Sequence, residues 1–267
     1  MNKQKILYLV VGLLAGFIVG FLFTNQVNRK EQDSLRAELA RLRAAAPKTN
    51  DAKSNTPASA DSATPQQLSD EELRKAIAKG DANPADIELQ RKLGQGLYLY
   101  AINFGNTSIL PDALRLLKRA HDANPKDYET TVMLGNAHFD MGQSGDSAQI
   151  DEARVYFTKA LEVKPEAPDA LTALGLTYFF DQPSDAPRAI REYRKALARN
   201  ARHEVALQSL AAALISTGDF KEAEQRLDQL QQVNSSNAAL ADLRAQLAQK
   251  MNADNQQRAA GDAKERD

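Results

Sequence analysis

Histidine is the residue type in this chain best suited to acid–base or metal chemistry near neutral pH. The three histidines, at positions 121, 138 and 203, are scattered, and the chain has no cysteine. We expect His121 to be exposed near a helix end and His138 to be packed. Carboxylates at Asp146 and Asp151 lack the spacing of an EF-hand loop. Nucleophile, phosphate-loop, dinucleotide and zinc motifs are absent too, so we expect no catalysis, no cofactor and no metal.

The charge balance narrows the range of partners. Over 267 residues the formal net charge is -1. A chain so close to neutrality has no bulk field to attract a polyanion. We therefore expect a protein or peptide partner and no nucleic acid.

A pair of residues, Leu followed by Gly or Ala, recurs four times at intervals of 36 to 41 residues. The four pairs are Leu93-Gly94, Leu134-Gly135, Leu174-Gly175 and Leu210-Ala211. Each is followed by a spaced triad of small and apolar residues: Ala113/Leu117/Ala120, Ala153/Phe157/Ala160, Ala189/Tyr193/Ala196 and Ala223/Leu227/Leu230. A period of this length indicates stacked supersecondary units.

The spacing within the blocks is regular except at one turn. Twelve residues separate the first Ala of each triad from a closing position at Pro125, Pro165, Ala201 or Ser235. Nine more lead to the next Leu. The separation between the Gly or Ala of each pair and the first Ala of the following triad falls from 19 residues in the first block to 12 in the fourth. Insertions confined to one turn leave the packing of a helical stack undisturbed.

These blocks resemble the tetratricopeptide repeat (TPR) family. The resemblance is carried by LGNAHFDMG (134–142), LGLTYFF (174–180) and AIREYRKAL (189–197), and it covers about Pro84 to Gln249. The chain departs from the family pattern by lacking Trp, and its fourth block lacks the final Pro and has Ala211 for Gly. The resemblance implies an all-α solenoid of about four helix pairs with capping helices. The last cap is expected from the apolar stripe Leu240, Leu243 and Leu247.

In TPR proteins the first helix of each pair lines a groove that holds a peptide. The resemblance places the groove positions two before, two after and five after each Leu. These are Arg91, Gln95, Tyr98, Val132, Asn136, Phe139, Thr172, Leu176, Phe179, Gln208, Ala212 and Ile215. The column Tyr98, Phe139, Phe179 and Ile215 would favour an apolar or amphipathic peptide, or it could complete the core. Because Thr172 and Leu176 stand where basic groups are needed, a carboxylate clamp is not expected.

The N-terminus carries an apolar segment, Ile6 to Phe23, of 18 uncharged residues. As a helix it would be about 27 Å long, close to the roughly 30 Å of a hydrocarbon core. A signal peptide is the competing interpretation, but the run is long and no A-x-A-like site follows. We expect a single-pass membrane anchor. The Lys/Arg count alone would leave the body in the cytoplasm, whereas the short tail with Lys3 and Lys5 favours an extracytoplasmic or periplasmic body.

Two features near the anchor could make a homodimer. Gly12, Gly16 and Gly20 form a small-residue stripe that suits close helix packing in lipid, although glycine is also common in membrane helices. Leu35, Leu39 and Leu42 have heptad spacing over too short a stretch to separate a coiled coil from a solvated helical stalk.

The remaining segments complete the domain plan. Residues 47–68 are polar and rich in Ala, Ser, Thr and Pro, which predicts a disordered linker. A capping box at Ser69 to Glu72 and the pair Asn83-Pro84 are expected to open the first two helices. The plan is an anchor at 1–25, a stalk at 26–46, a linker at 47–68, a solenoid at 69–250 and a flexible tail at 251–267.

Three functions fit this plan. The first is a membrane-anchored scaffold that binds a protein or peptide in its concave groove for assembly or quality control at the cell envelope. By resemblance, the second is the TPR subunit of cytochrome c biogenesis or an ancillary chaperone of a secretion channel. The third is a structural membrane oligomer built by anchor and stalk.

Overall fold

The computed structural model describes residues 68–143 and 146–264, except for the side chains of residues 257 and 259–264. Regular structure in these ranges is helical. Ten α-helices follow in order: α1 Asp70–Ala82, α2 Ile87–Phe104, α3 Leu110–Ala123, α4 Tyr128–Gly142, α5 Ser147–Val163, α6 Pro168–Phe179, α7 Ala186–Arg199, α8 Glu204–Thr217, α9 Phe220–Val233 and α10 Leu240–Lys264. A short 3₁₀ helix, Thr107–Ile109, precedes α3.

The described residues divide into two compact units, 68–120 and 121–264. In the first unit, the predicted capping box opens α1: the Ser69 hydroxyl accepts from the Glu72 amide, and the Glu72 carboxylate accepts from the Ser69 amide. Asp81 near the end of α1 pairs with Arg115 and Arg119 of α3. The buried Gln90 of α2 donates to the Gly80 carbonyl at 2.7 Å, so side-chain contacts join α1 to both other helices.

The second unit is built of three helical hairpins and a terminal helix. The pairs α4/α5, α6/α7 and α8/α9 pack within themselves, each hairpin packs on the next, and α10 covers α8 and α9. The first helices α4, α6 and α8 form one layer, and the second helices α5, α7 and α9 form the other. The predicted cap is confirmed, since Leu240, Leu243 and Leu247 are buried.

The triads of the second helices form the core between the layers. The nine triad residues of α5, α7 and α9 are buried, and Ala153, Tyr193, Ala196, Ala223, Leu227 and Leu230 are 0% exposed; the three triad residues of α3 are buried within the first unit. Their 4,3 spacing places each triad on one stripe of its helix. The sequence therefore located the layer contact correctly.

The small residue of each Leu-Gly pair marks the closest helix approach. A Cβ added to Gly135 would lie 2.6 Å from the Phe157 ring, and one added to Gly175 would lie 2.5 Å from the Tyr193 ring. No real Cβ sits so close to a ring atom. Glycine is required at these positions because an aromatic ring of the partner helix occupies the space a side chain would need.

Two helix boundaries differ from the prediction. Helix α2 does not open at Asn83-Pro84; its N-cap is Asp86, whose carboxylate accepts from the Leu89 amide at 3.0 Å. The Asn83 side chain instead donates to the Lys79 carbonyl and closes α1. At the other end, α10 continues to Lys264 through residues expected in a flexible tail.

None of the helices described between residues 68 and 264 has the length and apolar character needed to cross a bilayer. The predicted anchor, the glycine stripe Gly12, Gly16 and Gly20, the stalk and most of the linker lie outside the described residues.

Candidate peptide-binding face

The predicted groove positions of the second unit lie on the first-layer helices and are called here the inner face. It consists of Val132, Asn136 and Phe139 of α4, Thr172, Leu176 and Phe179 of α6, and Gln208, Ala212 and Ile215 of α8. Val132, Asn136, Phe179 and Ala212 are partly exposed, and the other five are buried. The accessible part of this face is apolar apart from the Asn136 carboxamide.

The aromatic residues of the inner face are divided between packing and exposure. The Phe139 ring, 3% exposed, meets the Phe180 ring edge-on with 5.7 Å between centroids. The Phe179 ring also meets Phe180 edge-on, at 5.5 Å, but it stays partly exposed. Phe139 is therefore part of the packing of α4 on α6, whereas Phe179 is available for contact.

On α8, the polar inner-face residue Gln208 hydrogen-bonds to the turn that precedes the terminal helix α10. The Gln208 side-chain oxygen accepts from the Asn237 carboxamide at 3.2 Å, and Asn237 also donates to Glu204 at 2.6 Å. These bonds fix the turn that leads into α10. Ile215 is buried, which leaves Ala212 as the accessible inner-face residue of α8.

The predicted groove positions of the first unit lie on α2. Arg91 is partly exposed, and its guanidinium donates to both oxygens of Glu88, at 3.0 and 2.7 Å. Those hydrogen bonds lower the pKa of the Glu88 carboxyl. A third bond runs from Arg91 to the Gln95 side-chain oxygen at 3.1 Å. Gln95 and Tyr98 are buried. The Arg91 charge is thus already paired with a carboxylate, which suits a structural ion pair more than a clamp.

The second-layer helices present a charged surface, called here the outer face. Arg194 pairs with Glu222 at 2.6 Å, Arg199 with Glu166 at 2.6 Å, and Lys195 with Glu192 at 2.8 Å. In each pair the cation is exposed, and a carboxylate balances its charge. The inner and outer faces of the second unit therefore differ in chemistry: the inner face is apolar and uncharged, and the outer face is charged and carries several ion pairs.

Comparison with known proteins identifies the repeat. Residues 182–247, which contain α7, α8 and α9, match the family model for the tetratricopeptide repeat. The chain has a tetratricopeptide repeat fold. The TPR match begins after α6, so it covers the second helix of the third block, the whole fourth block and the start of α10.

Solved TPR structures share the architecture at low sequence identity. The crystal structure of MamA is 23% identical, with a TM-score of 0.50 over 63% of this chain and 90% of MamA. TTC0263, a thermophilic TPR protein of Thermus thermophilus, is 19% identical with a TM-score of 0.50 over 68% of this chain and 90% of its own. No curated protein sequence matches the chain. These likenesses show the fold.

The histidines serve the TPR packing. The expectation that His121 is exposed was wrong: it is 5% exposed, lies 3.1 Å from the Thr131 hydroxyl, and meets the Tyr156 ring edge-on. His138 stacks on the Tyr156 ring and lies 2.7 Å from Gln149. His203 accepts from the Ala206 amide as the N-cap of α8. Within residues 68–143 and 146–264, no cluster of His, Asp or Glu is arranged to hold a metal ion.

One structurally important residue carried no signal in the sequence. Arg154 of α5 donates to the Thr177 carbonyl at 3.1 Å and to Asp181 at 2.6 Å, and its guanidinium lies 4.8 Å from the Tyr178 ring centroid. It closes the end of α6 from the neighbouring hairpin. From the sequence, an arginine next to a core alanine is expected to be a solvated charge, and one of its acceptors, Asp181, lies in a turn of variable length.

Proposed function

We propose that this chain is a membrane-tethered TPR scaffold that binds a protein or peptide partner on the inner face of α4, α6 and α8. The proposal rests on the difference between the two faces of the second unit. Val132, Phe179 and Ala212 offer accessible apolar surface, whereas the outer face carries exposed charges, several of which form ion pairs with one another. Apolar side chains on a rigid surface are the usual anchor points of a protein interface.

The chemistry of the inner face favours an apolar or amphipathic helical segment as partner. A groove without charged side chains gives no counter-charge to an acidic or basic peptide. An amphipathic helix can lay its apolar stripe across several parallel helices, as in other helix-in-groove complexes. Asn136 could accept from or donate to a polar group at the edge of such a stripe.

The tether is the apolar segment Ile6 to Phe23, which is uncharged and long enough to span a hydrocarbon core. The linker at 47–68 would let the TPR body move freely near the bilayer. We place the body on the extracytoplasmic side, in keeping with the two lysines of the short N-terminal tail. Assembly or quality control at the cell envelope is the role that this arrangement suits.

The experiment compares capture of partners by two matched double variants of the full chain. Val132→Asp with Phe179→Asp places two charges on the inner face. Val155→Asp with Val163→Asp places two charges on the outer face, where both valines are exposed. We expect the inner-face variant to capture at least about tenfold less of the specifically enriched partner than the parent does. The reason is that a charge buried without a counter-charge costs several kcal/mol. The outer-face variant should capture it as the parent does.

Circular dichroism must show equal helix content for both variants. If a folded inner-face variant still captured the same partner in full, or the outer-face pair also lost it, binding on the inner face would be rejected. Membrane tethering is tested separately, by flotation of the full chain with vesicles against a Leu13→Arg/Leu14→Arg variant that should stay at the bottom of the gradient.

A further inference from the structure

The exposed surface of α7 is a line of positive charge. Four basic residues at intervals of three, four and four positions lie on one stripe of this helix. They are called here the basic stripe: Arg188, Arg191, Lys195 and Arg199, and all four are exposed. The single acidic residue of α7, Glu192, has only 12% of its side chain exposed. The surface that α7 offers to a partner is therefore cationic along its length.

This positive charge belongs to one helix. Helix α7 contains five basic residues and one acidic residue, so its formal charge is +4, whereas that of the whole chain is -1. It lies between α5 and α9 in the second layer, and each of these contains three acidic and two basic residues, which gives a formal charge of -1. Their exposed carboxylates include Glu152 and Glu162 of α5 and Glu224 and Asp228 of α9. The basic stripe is thus one helix wide and has acidic residues on both sides.

The ion pairs already made by the basic stripe leave it with unused donors. Within the part of the chain that the structure describes, no carboxylate is paired with Arg191. Arg188 uses its Nε to contact Asp185, and Arg199 uses one terminal nitrogen to contact Glu166. A guanidinium has five N–H donors, so each of these arginines can bind a second carboxylate. Exposed pairs of this kind also contribute little stability, so an incoming carboxylate can replace the internal one.

The width of the basic stripe selects among anionic partners. Helices that pack together lie about 8–10 Å apart, so the acidic residues of α5 and α9 come close to any ligand broader than one helix. A bilayer surface or a nucleic-acid duplex presents phosphates over a wide area, and these would meet carboxylates on both flanks. A single peptide segment carries its carboxylates along one line and avoids both flanks. The charge pattern therefore favours an acidic peptide over a lipid surface or a duplex.

We propose that the basic stripe of α7 binds an acidic segment of a partner protein. At about 1.5 Å per residue, the stripe extends about 16 Å from Arg188 to Arg199, a length that about five residues of an extended peptide cover. Arginine holds a carboxylate through two parallel hydrogen bonds, so Asp and Glu side chains are suitable ligands. This site lies on the layer opposite the inner face. It therefore goes beyond the proposed function and lets the chain hold two different segments at once.

Binding of a synthetic peptide to the full chain in an uncharged detergent tests this site. The probe is hexaglutamate with a neutral fluorophore, its control is hexaglutamine with the same label, and affinity is measured by fluorescence anisotropy at low salt. Arg191→Gln with Lys195→Gln removes two charges from the basic stripe. The matched control, Lys159→Gln with Lys221→Gln, removes two exposed charges from α5 and α9 and gives the same net charge. All four side chains are exposed, so both variants should keep the helix content of the parent, which circular dichroism checks.

We expect hexaglutamate to bind the parent at least about tenfold more tightly than hexaglutamine does. The stripe variant should lose about fivefold or more of that affinity and the control variant less than about twofold, because the ligand pairs with local charge and not with net charge. Equal binding of the two peptides, or equal losses in the two variants, would overturn the proposal.

Competition separates the peptide from the other anionic partners. Stronger displacement of the labelled peptide by a DNA duplex, or by micelles that contain phosphatidylglycerol, than by unlabelled hexaglutamate at equal negative charge would also overturn the proposal. None of these results changes the capture of a partner by the inner face, which is measured with variants of α4 and α6.

Discussion

Single residues set the distance between the two layers of this stack. Gly175 lies against Tyr193, and Gly135 lies against Phe157, at separations that leave no room for a methyl group. In the fourth block the chain uses Ala211 together with the smaller Leu227, and both are 0% exposed. The second and third blocks thus combine a glycine with an aromatic ring and the fourth an alanine with a leucine, whereas Gly94 of the first block faces Leu117.

Gly175→Ala should destabilise the protein by about 1–3 kcal/mol, because the new Cβ would overlap a fully buried ring. Urea unfolding followed by circular dichroism measures this loss. Gly175→Ala with Tyr193→Leu copies the fourth-block combination and should cost less than the sum of the two single changes. Strict additivity of the two changes would show that the ring and the methyl group do not compete for space.

Tyr193 also makes stability depend on alkaline pH. Burial raises the pKa of its hydroxyl well above the ordinary value of about 10. The folded state therefore requires the neutral form, so the contribution to stability is complete below about pH 10 and is lost as pH rises above it. Tyr193→Phe cannot ionise, and its free energy of unfolding should fall less than that of the parent between about pH 8 and pH 11.

The measured quantity is the difference in free energy of unfolding between parent and variant across that pH range. The titration of lysines is common to both proteins and cancels in this difference. Burial raises the pKa of Tyr128 in the same direction, so part of the alkaline loss remains in the variant. Parallel curves for the two proteins would contradict a buried neutral Tyr193.

At the scale of helices, a side chain from one hairpin donates a hydrogen bond to the C-terminal end of a helix in the next hairpin. The last carbonyls of a helix lack intrahelical donors and need other partners. Arg154 of α5 supplies one to the Thr177 carbonyl of α6 and pairs with Asp181 just beyond it. This link joins the second block to the third at the turn whose length varies along the chain.

Arg154→Ala should cost about 1–2 kcal/mol in unfolding free energy, because it removes a hydrogen bond to a charged group and leaves a carbonyl without its donor. Arg188→Ala is the matched control: that guanidinium also lies over the Tyr178 ring, at 5.7 Å, but its side chain is 59% exposed. Its loss should change stability by less than about 0.5 kcal/mol. Equal effects would mean that the contact with Tyr178, not the helix end, is what Arg154 provides.

The sequence predicted helices better than it predicted their ends. The triads and Leu-Gly pairs located the layer contacts because small and apolar residues at helical spacing leave few alternatives. The start of α2 was misplaced since both Asn83 and Asp86 can cap a helix, and the choice depends on Asn83 bonding back to Lys79. His121 was misjudged because its burial depends on Thr131 and Tyr156 of other helices.

For the molecule as a whole, the repeat pattern explains the fold, and the surface residues are what distinguish this chain from other repeat proteins. A stack of hairpins buries one continuous core and leaves its faces free to vary. The inner-face positions could be named from spacing, but their burial could not, because Phe139 packs on Phe180 and Gln208 bonds to Asn237 from a different element. Those partners lie 41 and 29 residues away along the chain.

The most direct test of the account measures access to the two faces when a captured partner is bound. Single variants Ala212→Cys and Lys195→Cys report on the inner and outer faces in a chain that has no other cysteine. Maleimide labelling rates are compared with and without the partner, for the full chain in phosphatidylcholine vesicles. The account predicts that the partner slows labelling at position 212 by at least about tenfold, since a bound interface excludes water and reagent alike, and leaves position 195 unchanged. Slowing at position 195 with free access at position 212 would contradict it.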